Sequence, residues 1–236
     1  MGKSSDIVDL SEVAIFPLPD VVLLPHGMLP LHIFEHRYRD MMEDVLARDD
    51  RPLIAMAQFE KGWKDHYMGT PKIHPQVCVG VVGKHERLPD GRFNLVLGGF
   101  ARATVVREIQ GKSYRRAMLE RIVDRPASMP LLEAARQRLR VICVSSSLQH
   151  HADASRELLK MVESNHVEVP VLMDVMVHAL CENPEIKQRV LGEADVARRI
   201  AIGLDALEAE YPSLAPRSRH GSGHGYQPGH GPPSMN

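Results

Sequence analysis

At 236 residues, 44% hydrophobic and 25% charged, the chain has the composition of an ordinary globular protein with room for one sizeable domain or two small ones. A formal net charge of -1 and 5% aromatic residues argue against a global pull toward nucleic acid or an anionic membrane, and against a base-stacking surface. Cys78, Cys143 and Cys181 are too far apart for a C-x-x-C pair or a zinc cluster and read as small buried hydrophobes.

The first 12 residues lack the apolar core of a signal peptide, and Asp6 stands where an acylation signal needs Ser or Thr. They read as a flexible leader. No run approaches the roughly 18 apolar residues of a membrane span, so a cytoplasmic location is expected. From Ile15 the chain reads IFPLPDVVLLPHGMLPLHIFEHRYRDMMEDVL, with Pro17, Pro19, Pro25 and Pro30 dividing short apolar runs. Proline fixes φ and removes a ladder donor, so it belongs at strand starts, edges and bends. The reading is strand, bend, strand, bend, helix, with Leu18, Val21, Leu23 and Leu24 entering a core. Phe34, Tyr38, Met41, Met42, Val45 and Leu46 fall on one helical face.

Leu53–Phe59 reads as a strand, and Glu60–Gln76 as a polar loop holding Trp63 and Tyr67. Val77–Gly83 is a strand-length apolar run. Pro89-Asp90-Gly91 forms a turn in which proline presets φ and glycine supplies φ > 0, making a hairpin with Phe93–Leu97. Two further strands are expected at Ala101–Ile109 and Tyr114–Val123. Six or so short strands with one inserted helix imply a small closed or nearly closed β-barrel, since closure removes exposed edges. After the linker at Arg125–Pro130 the pattern is wholly helical: Leu131–Gln149, Ala154–Ser164, Pro170–Cys181, a short helix capped by Asn183-Pro184 and ending at Gly192, and Ala194–Ala209. The boundaries expected are a barrel over 13–126, a helical subdomain over 130–210 and a disordered Gly/Pro/His-rich tail over 211–236.

The opening stretch resembles the amino-terminal substrate-binding domain of ATP-dependent Lon protease. Phe16, Pro17, Leu18, Val22, Leu24, Pro25, Pro30, Leu31, Ile33, Phe34, Glu35, Arg37 and Tyr38 match the family's F-P-L…P…P-L-x-I-F-E-x-R-Y pattern. Gly80-Val81-Val82, the hairpin tip Pro89-Asp90-Gly91-Arg92, and Gly99 with Arg102 extend the match, as does the EIKQRVL…DVARR stretch near the end. Ala103 is smaller than the residue the family usually places after that arginine. The resemblance covers roughly residues 13 to 209. It implies an α+β fold, a PUA-like barrel followed by helices, and binding of unfolded or extended polypeptide, with a separate protease or other quality-control protein as a further partner.

Catalytic signatures do not occur. There is no G-x-x-x-x-G-K-[ST] loop to cradle phosphates, no G-x-S-x-G elbow and no H-E-x-x-H pair. The resemblance therefore implies a stand-alone, non-enzymatic module needing no cofactor or metal. His220, His224 and His230 belong to the tail and read as solvated. Ser145-Ser146-Ser147 and His150-His151 read as a helix end and an interhelical turn.

Binding residues are less well specified. Trp63, Tyr67 and Met68 in the long loop are candidates for polypeptide contact, although Trp63 can equally fold back as a lid on the barrel. Met118, Met129, Met161, Met173 and Met176 suit either an adaptable surface or a core. In the Phe34–Arg39 box, Phe34 and Tyr38 are expected on the buried face and Glu35 with Arg39 as an i, i+4 pair; alternatively Arg37 and Arg39 meet client carboxylates. Arg102, Arg107, Lys112, Arg115, Arg116 and Arg121 cluster along the last strands and carry an RNA-binding alternative, diluted by Glu108, Glu120 and Asp124. A pure interaction scaffold is the third reading.

Overall fold

The structure, a computed structural model, describes residues 8–48, 51–66, 70–145, 148 and 152–212. Tyr67, Met68, Ser146, Ser147, His150, His151 and the tail from 213 onward lie outside the described residues.

Among the described residues six strands form one sheet: β1 (Val13–Leu18), β2 (Met28–Ile33), β3 (Leu53–Gln58), β4 (Gln76–Arg87), β5 (Phe93–Ile109) and β6 (Arg115–Arg121). Their order is β2-β5-β4-β3-β1-β6, and an additional β5–β6 pairing closes β1, β3, β4, β5 and β6 into a barrel. Among the described strands only β1 and β3 run parallel, with Ala14 opposite Ile54 and Leu18 opposite Gln58. Parallel neighbours need a crossover, and β2 with helix α1 (His36–Leu46) supplies it. The two strands expected at Phe93–Leu97 and Ala101–Ile109 are a single 17-residue β5. Its first part pairs with β2 and its last part with β6, so β2 hangs on the barrel as an edge strand. Pro30 sits in that edge strand, and Pro17 lies past the stretch of β1 that pairs with β6. The hairpin tip turns at Gly91, where φ is 81°.

The barrel strands are buried on both faces. Val13, Ile15, Leu53, Ala55, Ala57, Val77, Val79, Ala103, Ala117 and Leu119 fill the interior. Four alanines suit so narrow a barrel, and Ala103 is one of them. The opposite faces, with Phe16, Ile54, Met56 and Cys78, join a larger core that includes Leu23, Leu24, α1 and the helices beyond residue 128. Two buried faces explain why β1 and β3 read as continuous apolar runs rather than alternating ones. All three cysteines are buried and free, and burial pushes the Cys78 thiol up to about 12.

Five helices follow: α2 (Met129–Cys143), α3 (Ala152–Glu163), α4 (Val169–Leu180), α5 (Pro184–Gly192) and α6 (Val196–Glu210). The Asn183 side chain caps α5 by accepting from the Glu185 and Ile186 N–H groups, and Asp195 caps α6. The helix expected to reach Gln149 ends at Cys143, and Val141 on its outer face and Val144 just past its end are exposed.

Two expectations for the opening box fail. Phe34 is 61% exposed rather than on the buried face, while Tyr38, Met41, Met42 and Val45 are buried as expected. The helix begins only at His36, and Glu35 is extended with ψ 139°, so Phe34 keeps the strand phase of β2. Glu35 pairs with Arg37 at 2.9 Å, and no Glu35–Arg39 pair forms. Met173 and Met176 belong to the core, whereas Met129 is exposed.

Candidate functional site

Two neighbouring clefts share the wall formed by Thr70 and Pro71. The first, about 180 Å³, lies between Arg37 and Tyr38 of α1, Phe59, and the β5–β6 turn with Lys112 and Tyr114. The second, about 540 Å³, is lined by Glu60, Lys61, Trp63 and Lys72. Phe59 joins them, because the Trp63 ring stacks on it with centroids 5.5 Å apart and planes at 17°. Phe59 is buried and bonded to Leu18 through its main chain, so Trp63 rests on a rigid base at the barrel's end. That contact is the lid arrangement, with the indole still half-buried rather than enclosed.

Arg37 lies over the Tyr38 ring at 4.6 Å while bonded to Glu35, and Tyr38 meets Phe16 edge-on at 4.6 Å. This packing holds Arg37 in the lining of the cleft. Across the cleft, the Tyr114 hydroxyl donates to Asp44 at 2.7 Å. That bond, helped by Lys112, holds the Asp44 carboxyl below its usual range. Arg39 goes elsewhere: it packs against the hairpin tip, where a Cβ on Gly91 would lie 2.3 Å from its Nη2. The structure thus brings Trp63 and Arg37 to adjoining clefts and takes Arg39 away.

Four of the six basic residues of the last strands are engaged by carboxylates, and Arg107 and Arg121 are not among them. Arg115 binds Glu108 and donates to the Pro71 carbonyl at 2.7 Å, Arg116 binds Glu12, and Lys112 pairs with Asp44 at 3.0 Å. Arg102 is buried and bonds Asp174 of α4. Arg199 of α6 is buried beside the same carboxylate at 4.0 Å and donates to Asp124 at 2.7 Å. Burial pushes the Asp174 carboxyl up against the pull of both guanidiniums. Burial also pushes the Asp124 carboxyl up, but its bond to Arg199 leaves it below the ordinary value. Asp174 escaped the sequence reading and Arg199 entered it only as the end of the DVARR match, although a lone aspartate in the apolar run VPVLMDVMVHAL is a visible signal of a paired charge.

His178, four residues after Asp174, lies flat on Gly27, with its Nε2 at 3.3 Å from the Met28 carbonyl. Burial lowers its pKa, and the Lys187 ammonium lowers it further. A histidine whose folded pKa is depressed resists protonation that the unfolded chain accepts, so stability is lost as pH falls through about 6.5. The thermal midpoint should therefore fall between pH 7.5 and 5.5, and fall less in His178→Asn. Equal pH profiles for the two proteins would remove His178 as the cause.

Among the described residues no group of three or more His, Cys, Asp or Glu side chains could hold a metal ion, and no helix is long and apolar enough to cross a membrane. The model of a family described as the ATP-dependent protease La (LON) substrate-binding domain matches residues 12–209. The chain belongs to the Lon substrate-binding domain family. This Lon-type chain is 24% identical over 227 residues to a Lon protease of Azospirillum brasilense, covering 93% of itself and 27% of that protein. It is 24% identical over 205 residues to a Lon protease of Trichlorobacter lovleyi, covering 85% of itself and 24% of the relative. It thus spans about a quarter of the length of these curated relatives. The N-terminal domain of Mycobacterium avium complex Lon protease superposes with a TM-score of 0.66 at 16% identity, over 84% of this chain and 98% of that one. A Lon N-terminal domain protein from Xanthomonas campestris gives 0.57 at 18% identity, over 81% and 95%. These two share the Lon N-terminal fold.

Proposed function

We propose that this chain binds unfolded or extended polypeptide without transforming it, as the client-handling element of ATP-dependent proteolysis or protein quality control. The observation that carries this reading is the family match across residues 12–209. The Trp63–Phe59 stack and Arg37, in adjoining clefts, offer contacts that suit a client of mixed sequence: a flat apolar ring, and a guanidinium that would share its Glu35 bond with a client carbonyl or carboxylate. Tyr67 and Met68 remain candidates on sequence alone. The RNA alternative is weakened, because three of its five strand arginines, Arg102, Arg115 and Arg116, bind Asp174, Glu108 and Glu12.

Reduced, carboxymethylated ribonuclease A, a tryptophan-free unfolded client, tests this directly. Micromolar binding is expected, with native ribonuclease bound far more weakly. Trp63 is the only tryptophan, so its emission reports on this loop and should shift on saturation. Trp63→Ala should weaken binding about tenfold. No binding of the unfolded client by the intact chain defeats the reading. Binding that leaves the Trp63 emission unmoved relocates the contact.

A further inference from the structure

We infer that the outer edge of β2 is a docking site for an extended polypeptide strand, bound through main-chain hydrogen bonds; this rests on the polypeptide-binding reading and names a site for it. The bond from the Gly99 N–H to the Gly27 carbonyl, 2.8 Å, fixes the phase of the β2–β5 pairing. Antiparallel pairs alternate between bonded and non-bonded positions. Leu29, Leu31 and Ile33 therefore aim their main-chain groups at β5, and Met28, Pro30 and His32 aim theirs outward.

That outer row is not uniform. The Met28 carbonyl is taken by His178, and Pro30 has no N–H. Because β2 ends the sheet and pairs only with β5 among the described residues, the Pro30 carbonyl and the N–H and carbonyl of His32 have no strand partner. An edge of this kind templates a further strand unless something covers or blunts it. The side chains along the same strand suit an extended partner, because Met28 (67% exposed), Pro30, His32 and Phe34 all face solvent. The His32 ring stacks on Phe34 at 6.2 Å, and its Nδ1 meets the Asn94 side-chain oxygen at 2.7 Å, which holds the row in order. A groove of about 400 Å³ runs beside it over Val96 and Lys84.

Pro30 also decides the occupant. A second copy pairing β2 to β2 about a two-fold axis through Pro30 would set acceptors against acceptors with no donor between them; an axis at Leu31 leaves only the His32 N–H groups to bond the Pro30 carbonyls, and one at His32 keeps only the His32 pair within a strand that ends at Ile33. A client backbone brings its own N–H to the Pro30 carbonyl and both a donor and an acceptor to His32. Main-chain pairing reads no sequence, while the exposed Met28 and Phe34 accept apolar side chains at alternate positions.

The test uses the whole chain and fluorescein-labelled, reduced, carboxymethylated ribonuclease A. His32→Pro deletes the outward N–H without touching the ladder to β5. It should weaken binding about five- to tenfold, while His32→Ala, which keeps that N–H, stays within about twofold of the parent. Pro30→Ala adds an outward donor and should tighten binding. A second arm needs no variant: a lysine-capped (Thr-Val)5 peptide should bind when N-methylated on alternate residues, which leaves one edge free, and lose binding when N-methylated throughout. If the parent chain binds the client and His32→Pro binds equally well with its thermal midpoint retained, the edge site is wrong although the polypeptide-binding reading stands. Equal binding of the fully N-methylated peptide overturns it as well, as does dimerisation of the parent chain that Pro30→Ala strengthens. A parent chain that binds no unfolded client defeats both readings.

Discussion

Replacing Asp174 with asparagine is expected to lower the unfolding free energy by about 3–5 kcal/mol. The asparagine has nearly the same shape, so the loss comes from charge rather than from a cavity. Asp174 is 3% exposed and serves two guanidiniums, Arg102 from β5 at its Oδ1 and Arg199 from α6 at 4.0 Å. Without the carboxylate, Arg102 is left buried and uncompensated, and a buried unpaired ion costs far more than the pair contributes. The thermal midpoint of a chain this size should drop by about 10 °C.

The comparison that isolates this cause is Asp124→Asn. Asp124 also binds Arg199, but its side chain is 43% exposed, so water can take the place of the lost carboxylate. A loss of about 1 kcal/mol is expected there. The double replacement Arg102→Met/Asp174→Leu removes the buried charge together with its partner, and it should be less damaging than Asp174→Asn alone. Urea unfolding of the parent, Asp174→Asn, Asp124→Asn, the single variants Arg102→Met and Asp174→Leu, and their combination settles the matter. If the double variant falls as far as the sum of its single changes, the pair is not coupled and the account of the network is wrong.

This network joins strands to helices across long stretches of chain, which is why the sequence showed only half of it. Arg102 stood out through the family pattern, but nothing local told which of many carboxylates would meet it. The barrel was legible where chemistry is local. Pro89-Asp90-Gly91 made its turn, Asn183 capped its helix, and Pro30 marked an edge strand. Phe34 misled because its spacing from Tyr38 suits a helix, while the extended Glu35 between them starts the helix two residues late. Among the site candidates, Trp63 and Arg37 line adjoining clefts only because the loop after β3 folds back to place the indole on Phe59. The exposed row from Met28 to Phe34 was hidden for a related reason: strand phase, not apolar content, decides which of these residues face solvent.

Gly99→Ala should be nearly as damaging as the loss of Asp174, by about 3 kcal/mol. A Cβ there would lie 2.1 Å from the Leu24 carbonyl oxygen, 2.9 Å from its carbon and 3.1 Å from the Pro25 Cα. All three are main-chain atoms, so no rotamer change relieves the overlap. Nor can the backbone retreat easily. Leu24 is fully buried, and its carbonyl accepts from the Gly27 N–H at 3.0 Å. Gly99 itself donates to the Gly27 carbonyl and accepts from the His26 N–H at 2.9 Å. The adjacent glycine is the control. A Cβ on Gly98 would meet nothing closer than the Val81 carbonyl at 3.9 Å, an ordinary contact. Gly98→Ala should therefore change stability by less than about 1 kcal/mol, with a small gain if reduced freedom of the unfolded chain dominates. Two alanines at neighbouring positions of one strand, several kcal/mol apart in urea unfolding, would place the loop from Leu24 to Gly27 directly on β5. Equal midpoints for the two variants would mean that this close approach does not exist, and the phase assigned to the β2 edge would lose its anchor with it.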